Sequence, residues 1–441
     1  PIPHAREVLT ADTGIIFGFH DSTQLAVSVN RLLNDDQLRK NMSINALQKI
    51  VPTSWENSAV SHALLFEQLA EGKITIKYNL PAINLDHLRK MTTETGIIQF
   101  SKVNQPDIGS GYTLDDNARA LVATGMHFEL TGNTEDFRDI RKYLAFAKRC
   151  QQPEGDFLNY MDKDQHFTEQ NKAVNLDDAN GRAIWALGYL ASLKDVLPEG
   201  IASEAGEMIR KSLPHLETIH STRAIAFAIK GLFYIQSRTK SFDKHILIKK
   251  LANRLVQMYL HESTIEWAWF EGYLTYANSI LPEAMLYAWL LTSDKVYKDI
   301  AVESFDFLLS QVFNDNGIEV ISNKNWFQKG HERGYFGEQP IDVAYTIMTL
   351  GKFDEVFPGK DYRLKIDTAF DWFLGSNRLK QIVYNPCTGG CYDGLEETQV
   401  NLNQGAESTI SYLMARLSVE KHKKLASASK RLGNQLKTFN A

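Results

Sequence analysis

Two stretches of the chain carry residue types suited to acid–base chemistry at the start of a helix. Gly111-Tyr112-Thr113-Leu114-Asp115-Asp116-Asn117-Ala118-Arg119-Ala120 sets adjacent carboxylates and an arginine at the mouth of an otherwise apolar run. Val174-Asn175-Leu176-Asp177-Asp178-Ala179-Asn180-Gly181-Arg182-Ala183 repeats the design with one residue inserted. Further acids stand at comparable places: Glu271 in Trp267-Ala268-Trp269-Phe270-Glu271, Glu338 and Asp342 in Gly337-Glu338-Gln339-Pro340-Ile341-Asp342, and Glu407 after Asn403-Gln404-Gly405-Ala406. A lone acid in a first helical turn is explained by capping and by the helix dipole. Two consecutive acids, and a glutamate among aromatics, exceed what helix stability requires.

Cleavage of a glycosidic bond needs two carboxyl groups flanking an oxocarbenium-like centre, one of them kept protonated by its surroundings. Glu271 is expected as one partner because its apolar neighbours favour a neutral carboxyl; Asp116 or Asp178 is expected as the other. Arg119 and Arg182 are expected to orient Asp116 and Asp178 by ion pairing, or to bind an acidic sugar. Glu338, Asp342 and Glu407 stand next in line for the same role. Of Asp115 and Asp116, one should bond to backbone N–H groups of its own helix while the other points into a cavity, since consecutive helical side chains diverge by about 100°. Asp177 is a candidate substrate ligand of the same kind. The aromatic rings of Trp267, Trp269, Tyr276 and Trp326, with Asn278 and Gln339 beside them, have the character of a sugar platform, pairing apolar faces with hydroxyl partners.

These residues need elements to hold them, and the chain alternates two kinds of helix. One kind is apolar almost all round and must be buried: 115–130, 178–193, 221–235, 281–291, 341–350 and 407–417. The other is amphipathic: 133–150, 201–216, 242–261, 295–312, 362–374, and a short helix around Leu88. Six buried helices interleaved with six half-exposed ones predict an all-α fold, an (α/α)6 toroid over residues 76–420. The inner helices then run parallel, and their polar first turns gather at one mouth. Asp315-Asn316-Gly317 and Thr388-Gly389-Gly390 read as turns on that rim, and residues 421–441 as a separate basic surface helix. Residues 1–75 read as a small α/β piece, with Gly14-Ile15-Ile16-Phe17 as a strand.

Composition narrows the partners. A net charge of −5 spread over 441 residues steers toward neither nucleic acid nor an anionic membrane, so a neutral partner fits better; with the carboxylates and aromatics above, a neutral or mildly acidic oligosaccharide or polysaccharide is the expected one. No run is apolar enough to span a bilayer, and no signal peptide is visible; Pro1 is not a natural start, which points to a fragment or processed form. Cys150, Cys387 and Cys391 are too few for a disulfide framework and suit a reducing, cytoplasmic setting. Cys387-Thr388-Gly389-Gly390-Cys391 lacks a second ligand pair and reads as a turn; His220, His261 and His331 are too scattered for a metal triad, so neither metal nor cofactor is expected.

Two resemblances bear on this reading. Pro3-His4-Ala5-Arg6-Glu7-Val8, the expected strand, Leu32-Leu33-Asn34-Asp35 and Ser54-Trp55-Glu56 resemble the C-terminal tail of a GT-B, family 4 retaining glycosyltransferase, without that family's donor site. Residues from about 80 to 420 resemble the six-hairpin glycosidase superfamily, in particular helical domains downstream of such glycosyltransferases in some bacterial proteins. The resemblance implies a carbohydrate-active chain, with hydrolysis as the first expectation. A non-catalytic glycan-binding module is the second. Epimerisation, which in this class uses histidines as proton shuttles, is the third.

Overall fold

The structure is a computed structural model describing residues 3–439 except 72, 75, 199 and 239–241, with the side chains of 238, 242–243 and 428–439 left aside. The chain divides into two units, one comprising Pro1–Tyr78 with Leu379–Ile382 and the other Asn79–Arg378 with Val383–Ala441.

The first unit is helical: α1 (Pro3–Val8), α2 (Ser22–Asn34), α3 (Asp36–Ile50) and α4 (Trp55–Leu69). Polar caps start three of them. Asp21 accepts from the Gln24 amide at 2.8 Å, Asp35 from Leu38 at 2.9 Å and Ser54 from Asn57 at 3.4 Å. The expected strand at 14–17 does not form. A strand needs a neighbour to pair its backbone groups, and no described residue of this unit is in a strand, so the run stays irregular and the unit is not α/β.

The second unit holds α5 (Asp86–Met91), α6 (Leu114–Thr131), α7 (Asp136–Cys150), α8 (Gln170–Ala173), α9 (Asp177–Ser192), α10 (Ile201–Leu216), α11 (Thr222–Arg238), α12 (Phe242–Glu262), α13 (Ile280–Thr292), α14 (Lys295–Val312), α15 (Pro340–Val356), α16 (Tyr362–Asp371) and α17 (Ala406–Phe439). Helices α6, α9, α11, α13, α15 and α17 pack in that order and close, α17 against α6. Around them lie α7, α10, α12, α14 and α16, each on the inner helix that precedes it, and α5 on α17. The first and last segments of the unit thus complete one hairpin. Backbone bonds reinforce the closure: Ala406 N–H to Gln99 O at 3.1 Å and Gln404 N–H to Val103 O at 2.7 Å. The expected separate tail helix is instead a continuation of α17, because no Pro or early Gly interrupts the run after Leu417. No helix among the described residues is long and apolar enough to cross a membrane.

The connections are asymmetric. Those from an inner helix to the next outer helix are short, as at 132–135 and 293–294. Returns such as 151–176, 263–279, 313–339 and 375–405 are long. Among the described residues, the long returns carry six two-stranded ladders, each strand two residues in length. The hairpins 313–318 and 384–391 contain the two turns expected from their Gly and Asn residues. All long returns end where an inner helix begins, so one mouth is built up with loops.

Small residues set how closely the ring draws together. A Cβ at Gly188 of α9 would lie 2.2 Å from Gly231 O of α11, and one at Gly181 would lie 2.7 Å from Ala224 Cα. In a helix interior Gly→Ala ordinarily gains about 1 kcal/mol. At Gly188 the sign should reverse, with Gly188→Ala losing about 1–3 kcal/mol in chemical denaturation as the two backbones are forced apart. Gly206→Ala, where nothing lies within 4 Å of the added methyl, should show the ordinary gain.

Candidate functional site

The mouth is organised from the first turn of α6. Thr113 caps the helix by accepting from the Asp116 amide at 3.2 Å, and its hydroxyl donates to Asp116 Oδ2 at 2.6 Å. Asp116 Oδ1 accepts from Arg119 Nη1 at 2.9 Å, and Arg119 Nη2 reaches Glu407 Oε2 at 2.7 Å. The two nitrogens of one guanidinium are about 2.3 Å apart, so these hydrogen bonds hold the two carboxylate oxygens within about 8 Å of each other. The Arg119 side chain is 3% exposed and that of Glu407 40%, so the charge at the bottom is sealed and its partner faces solvent.

Asp115 donates its amide to Asn159 Oδ1 at 3.0 Å and pairs its carboxylate with Arg182. Two expectations are corrected here. Neither aspartate caps its own helix, because Thr113 does so, and Arg182 crosses to Asp115 of the neighbouring helix rather than holding Asp178. Asp178 instead accepts from the hydroxyls of Ser221 and Tyr276. Asp177 accepts the amides of His220 at 2.9 Å and Ser221 at 3.2 Å, which ties down the start of α11, and it lines none of the three cavities at this mouth.

Glu271 is set differently from its expectation. Its carboxylate takes Arg223 Nη1 at 3.2 and 3.0 Å and the Thr222 hydroxyl at 2.6 Å, so it is ion-paired and not merely surrounded by apolar groups. Trp267 and Trp269 are 5% and 0% exposed, with the Trp267 indole N–H donated to Glu271 O at 2.8 Å; they are core, not platform. Asn278 is likewise structural. It accepts from the Thr275 amide at 3.0 Å and donates to Thr275 O at 2.8 Å. Asp342 Oδ1 accepts from the Ala277 amide at 2.6 Å, steadying a residue with φ of 49°, and burial pushes its carboxyl up to about 7. Asn278, Asp342 and the Arg223–Glu271 pair therefore hold the loop that delivers Tyr276 to Asp178.

Three cavities that share walls make one groove across this mouth. The first, of about 360 Å³, is lined by Asp115, Asp116, Arg119, Glu338, Asp393 and Glu407, with Gln339 at its edge. The second, of about 480 Å³, shares Asp115, Arg119 and Glu407 and adds Asp178, Arg182 and Tyr276. The third, of about 370 Å³, shares Asp178 and Tyr276 and ends on Glu271, Tyr273 and Trp326. Tyr273 and Trp326 stack with ring centroids 5.9 Å apart, and they are 40% and 46% exposed. Of the aromatics of these two stretches, Tyr273, Tyr276 and Trp326 thus line the groove. Asp342 lines none of these cavities.

The first cavity holds three carboxyls driven toward the neutral form. Burial pushes Asp116 up to about 6, opposed by Arg119 and helped by the charge of Glu407. Burial raises Glu338 to about 7, although its Oε2 accepts from the Trp372 indole at 2.9 Å. Burial likewise raises Asp393 to about 6; Ser408 and the Gly405 amide, 3.0 Å away, oppose the shift, and Glu407 and Asp116 add to it. Asp393 was not among the residues expected from sequence. Its only local signal is the following Gly394, whose φ of 145° and close approach to Glu338 O allow two loops to meet there. Among the described residues, no group of three or more His, Cys, Asp or Glu is arranged to hold a metal ion. His220 lines the third cavity and is exposed.

No family model matches the chain, and no curated protein matches it. Solved structures do. The cellobiose 2-epimerase from Bacillus thermoamylovorans B4167 is 9% identical with a TM-score of 0.59, over 83% of this chain and 100% of that one. The fold is an (α/α)6 toroid. A D-mannose isomerase matches at 14% identity and a TM-score of 0.57, over 83% and 99% of the two chains. A GH76 alpha-mannanase from Bacteroides thetaiotaomicron matches at 10% and 0.51, over 72% and 88%. At such identities the likeness is one of architecture. The glycosyltransferase resemblance of residues 1–75 finds no support in these comparisons.

The raised carboxyls have a consequence for stability. Glu338 keeps its proton in the folded chain up to about pH 7, whereas the unfolded chain releases it near the ordinary 4.5. Folded protein therefore binds more protons in that window, and stability falls as pH rises through it. Glu338→Gln, whose amide oxygen can still accept from Trp372, should match the parent near pH 4.5. Near pH 8 it should be more stable by on the order of 1–3 kcal/mol in denaturant melts.

Proposed function

We propose that the groove binds an oligosaccharide and cleaves one of its glycosidic bonds, with Asp393 as proton donor and Glu407 as the carboxylate that meets the developing positive charge. The observation that carries this reading is the first cavity. There a carboxyl raised to about 6 and a half-exposed carboxylate held by Arg119 line the same space. Two acids pushed into different environments are what glycosidic cleavage requires. Asp393 transfers its proton to the glycosidic oxygen, the C1–O bond breaks with its electron pair going to that oxygen, and Glu407 stabilises the oxocarbenium-like carbon. Water then adds to that carbon and gives up one proton, which returns to the Asp393 carboxylate and restores the donor. Asp116 is a positioning residue in this scheme, since both of its oxygens are taken, by Thr113 and by Arg119.

The rest of the groove suits a chain of sugar units. Asp115, Asp178, Gln339 and Tyr276 offer hydroxyl partners, and the exposed Tyr273–Trp326 stack offers an apolar face at the far end. The structural neighbours support a carbohydrate substrate in general, as a cellobiose epimerase, a mannose isomerase and a mannanase by their own descriptions. Two of them are named for epimerisation or isomerisation, and this is the second reading. Cleavage is preferred here for the groove's composition, in which carboxylates line all three cavities while, among the described residues, an imidazole, the exposed His220, lines the third.

A panel of α- and β-linked oligosaccharides incubated in heavy water and followed by NMR and reducing-end release separates the readings. Release of reducing ends from at least one glycan is expected. It should fall about 10²-fold or more in Asp393→Asn and in Glu407→Gln, and stay within a few-fold in Asp177→Asn. Deuterium entering next to a sugar carbonyl without cleavage would establish the epimerase reading. Saturable binding without either reaction would make the groove a glycan-binding module.

A further inference from the structure

The opposite mouth of the toroid, where the inner helices end, contains a second cavity of about 300 Å³. It shares no lining residue with the groove, and Trp185 on its wall packs against a buried ring cluster, stacked on Phe227 at 5.5 Å and edge-on to Tyr345 at 5.8 Å, centroid to centroid. Glu283 lines it and is held from behind in a buried ion pair, Lys230 Nζ to Glu283 Oε2 at 2.8 Å, with side chains only 2% and 3% exposed. Lys230 also sits 4.5 Å from the centre of the Trp185 ring. A helical ring does not need such a pair for stability, because well-packed apolar residues of equal volume usually serve as well or better. Trp185 adds a second sign. It is 1% exposed and lines this cavity, yet its indole N–H has no hydrogen-bond partner.

The walls continue the pattern. Tyr189 donates to Glu129 at 2.8 Å, Tyr287 bonds Glu283 at 3.1 Å, and the Tyr234 and Tyr287 rings stand 6.1 Å apart. Each acid has its own lysine. Glu129 pairs with Lys421 at 3.1 Å, Glu283 with Lys230, and Glu355 with Lys352 at 2.8 Å. The remaining basic group of the lining, His422, faces Asp354 at 3.7 Å, so each acid and base here has a partner of opposite type and no excess charge is offered to an ion, while the carboxylates retain lone pairs and the tyrosines present ring faces. Lining charges exclude an apolar ligand by the cost of desolvating them. The volume stands at the small end of ligand pockets and fits one ring rather than a chain.

From these observations we infer that the far mouth is a binding site for a single neutral, hexose-sized polyol, independent of the groove and of the reaction assigned to it. Isothermal titration of the full chain with glucose, mannose, galactose and N-acetylglucosamine tests this, with Trp185 emission as a second readout. At least one of these sugars should bind with one-to-one stoichiometry. Its affinity should survive Glu407→Gln and fall roughly tenfold or more in Glu129→Gln, which removes an acceptor. Met126→Trp, at the rim of the cavity, should block it, with melting temperature recorded for each variant. Absence of binding by all the sugars at millimolar concentration would overturn the inference. So would binding that Glu407→Gln removes, or that neither Glu129→Gln nor Met126→Trp disturbs.

Discussion

A guanidinium sealed from water must be matched by negative charge, and at Arg119 that requirement joins the two ends of the toroid. One nitrogen holds Asp116 at the start of the first inner helix, and the other holds Glu407 at the start of the last. Ring closure and site assembly are thus the same event. Removing either acid would leave a buried cation short of a partner, so the pair is bound to the fold as well as to any reaction. The same logic repeats one step round the ring, where Arg182 of the second inner helix is matched by Asp115 of the first. It repeats again where Arg223 of the third is matched by Glu271 from a return loop. The mouth is a belt of arginines, each reaching to a carboxylate on another element.

Why this mouth and not the other follows from helix direction and loop length. Inner helices that run parallel bring their first turns, with free N–H groups and the positive end of the dipole, to one side. Acids collect there on electrostatic grounds alone. The long returns then bury some of them, and burial is what raises Asp116, Glu338 and Asp393. The far mouth receives the C-terminal halves of the inner helices and short connections, so its polar groups come from within the ring. There lysines neutralise the acids pairwise, and tyrosine hydroxyls donate to two of them.

The inner and outer helices were legible in the sequence because their periodicity is local: an all-round apolar run and a one-sided run differ at every turn. Six of each predicted the toroid, and most of the helices form within a few residues of the expected limits, whereas α15 runs on to Val356 and α17 to Phe439. The 14–17 run shows the limit of local reading, since an apolar stretch becomes a strand only if another chain segment pairs with it. The site was legible in kind rather than in pairing. Asp116, Asp178, Glu338 and Glu407 do come to one groove. The assignment of Arg182 to Asp178 failed because proximity in sequence is weaker than the approach of α9 to α6. Trp267 and Trp269 were misplaced because a sequence of loop aromatics does not say which ring turns inward. Asp393 was missed for the converse reason. Nothing beside it but a glycine marks it, and its raised carboxyl depends on burial and on Gly405, Ser408 and Glu407, which the last return brings back from further along the chain.

The most direct test of the central claim, that Arg119 holds Glu407 where sugar chemistry takes place, is a crystal structure of the Glu407→Gln variant with a bound oligosaccharide. Expected is a saccharide lying along the groove, with one glycosidic oxygen within hydrogen-bond reach of Asp393 and the adjoining anomeric carbon beside position 407, over an unmoved Arg119. A saccharide seated elsewhere, or one in the groove with its glycosidic oxygens remote from both carboxyl positions, would contradict it.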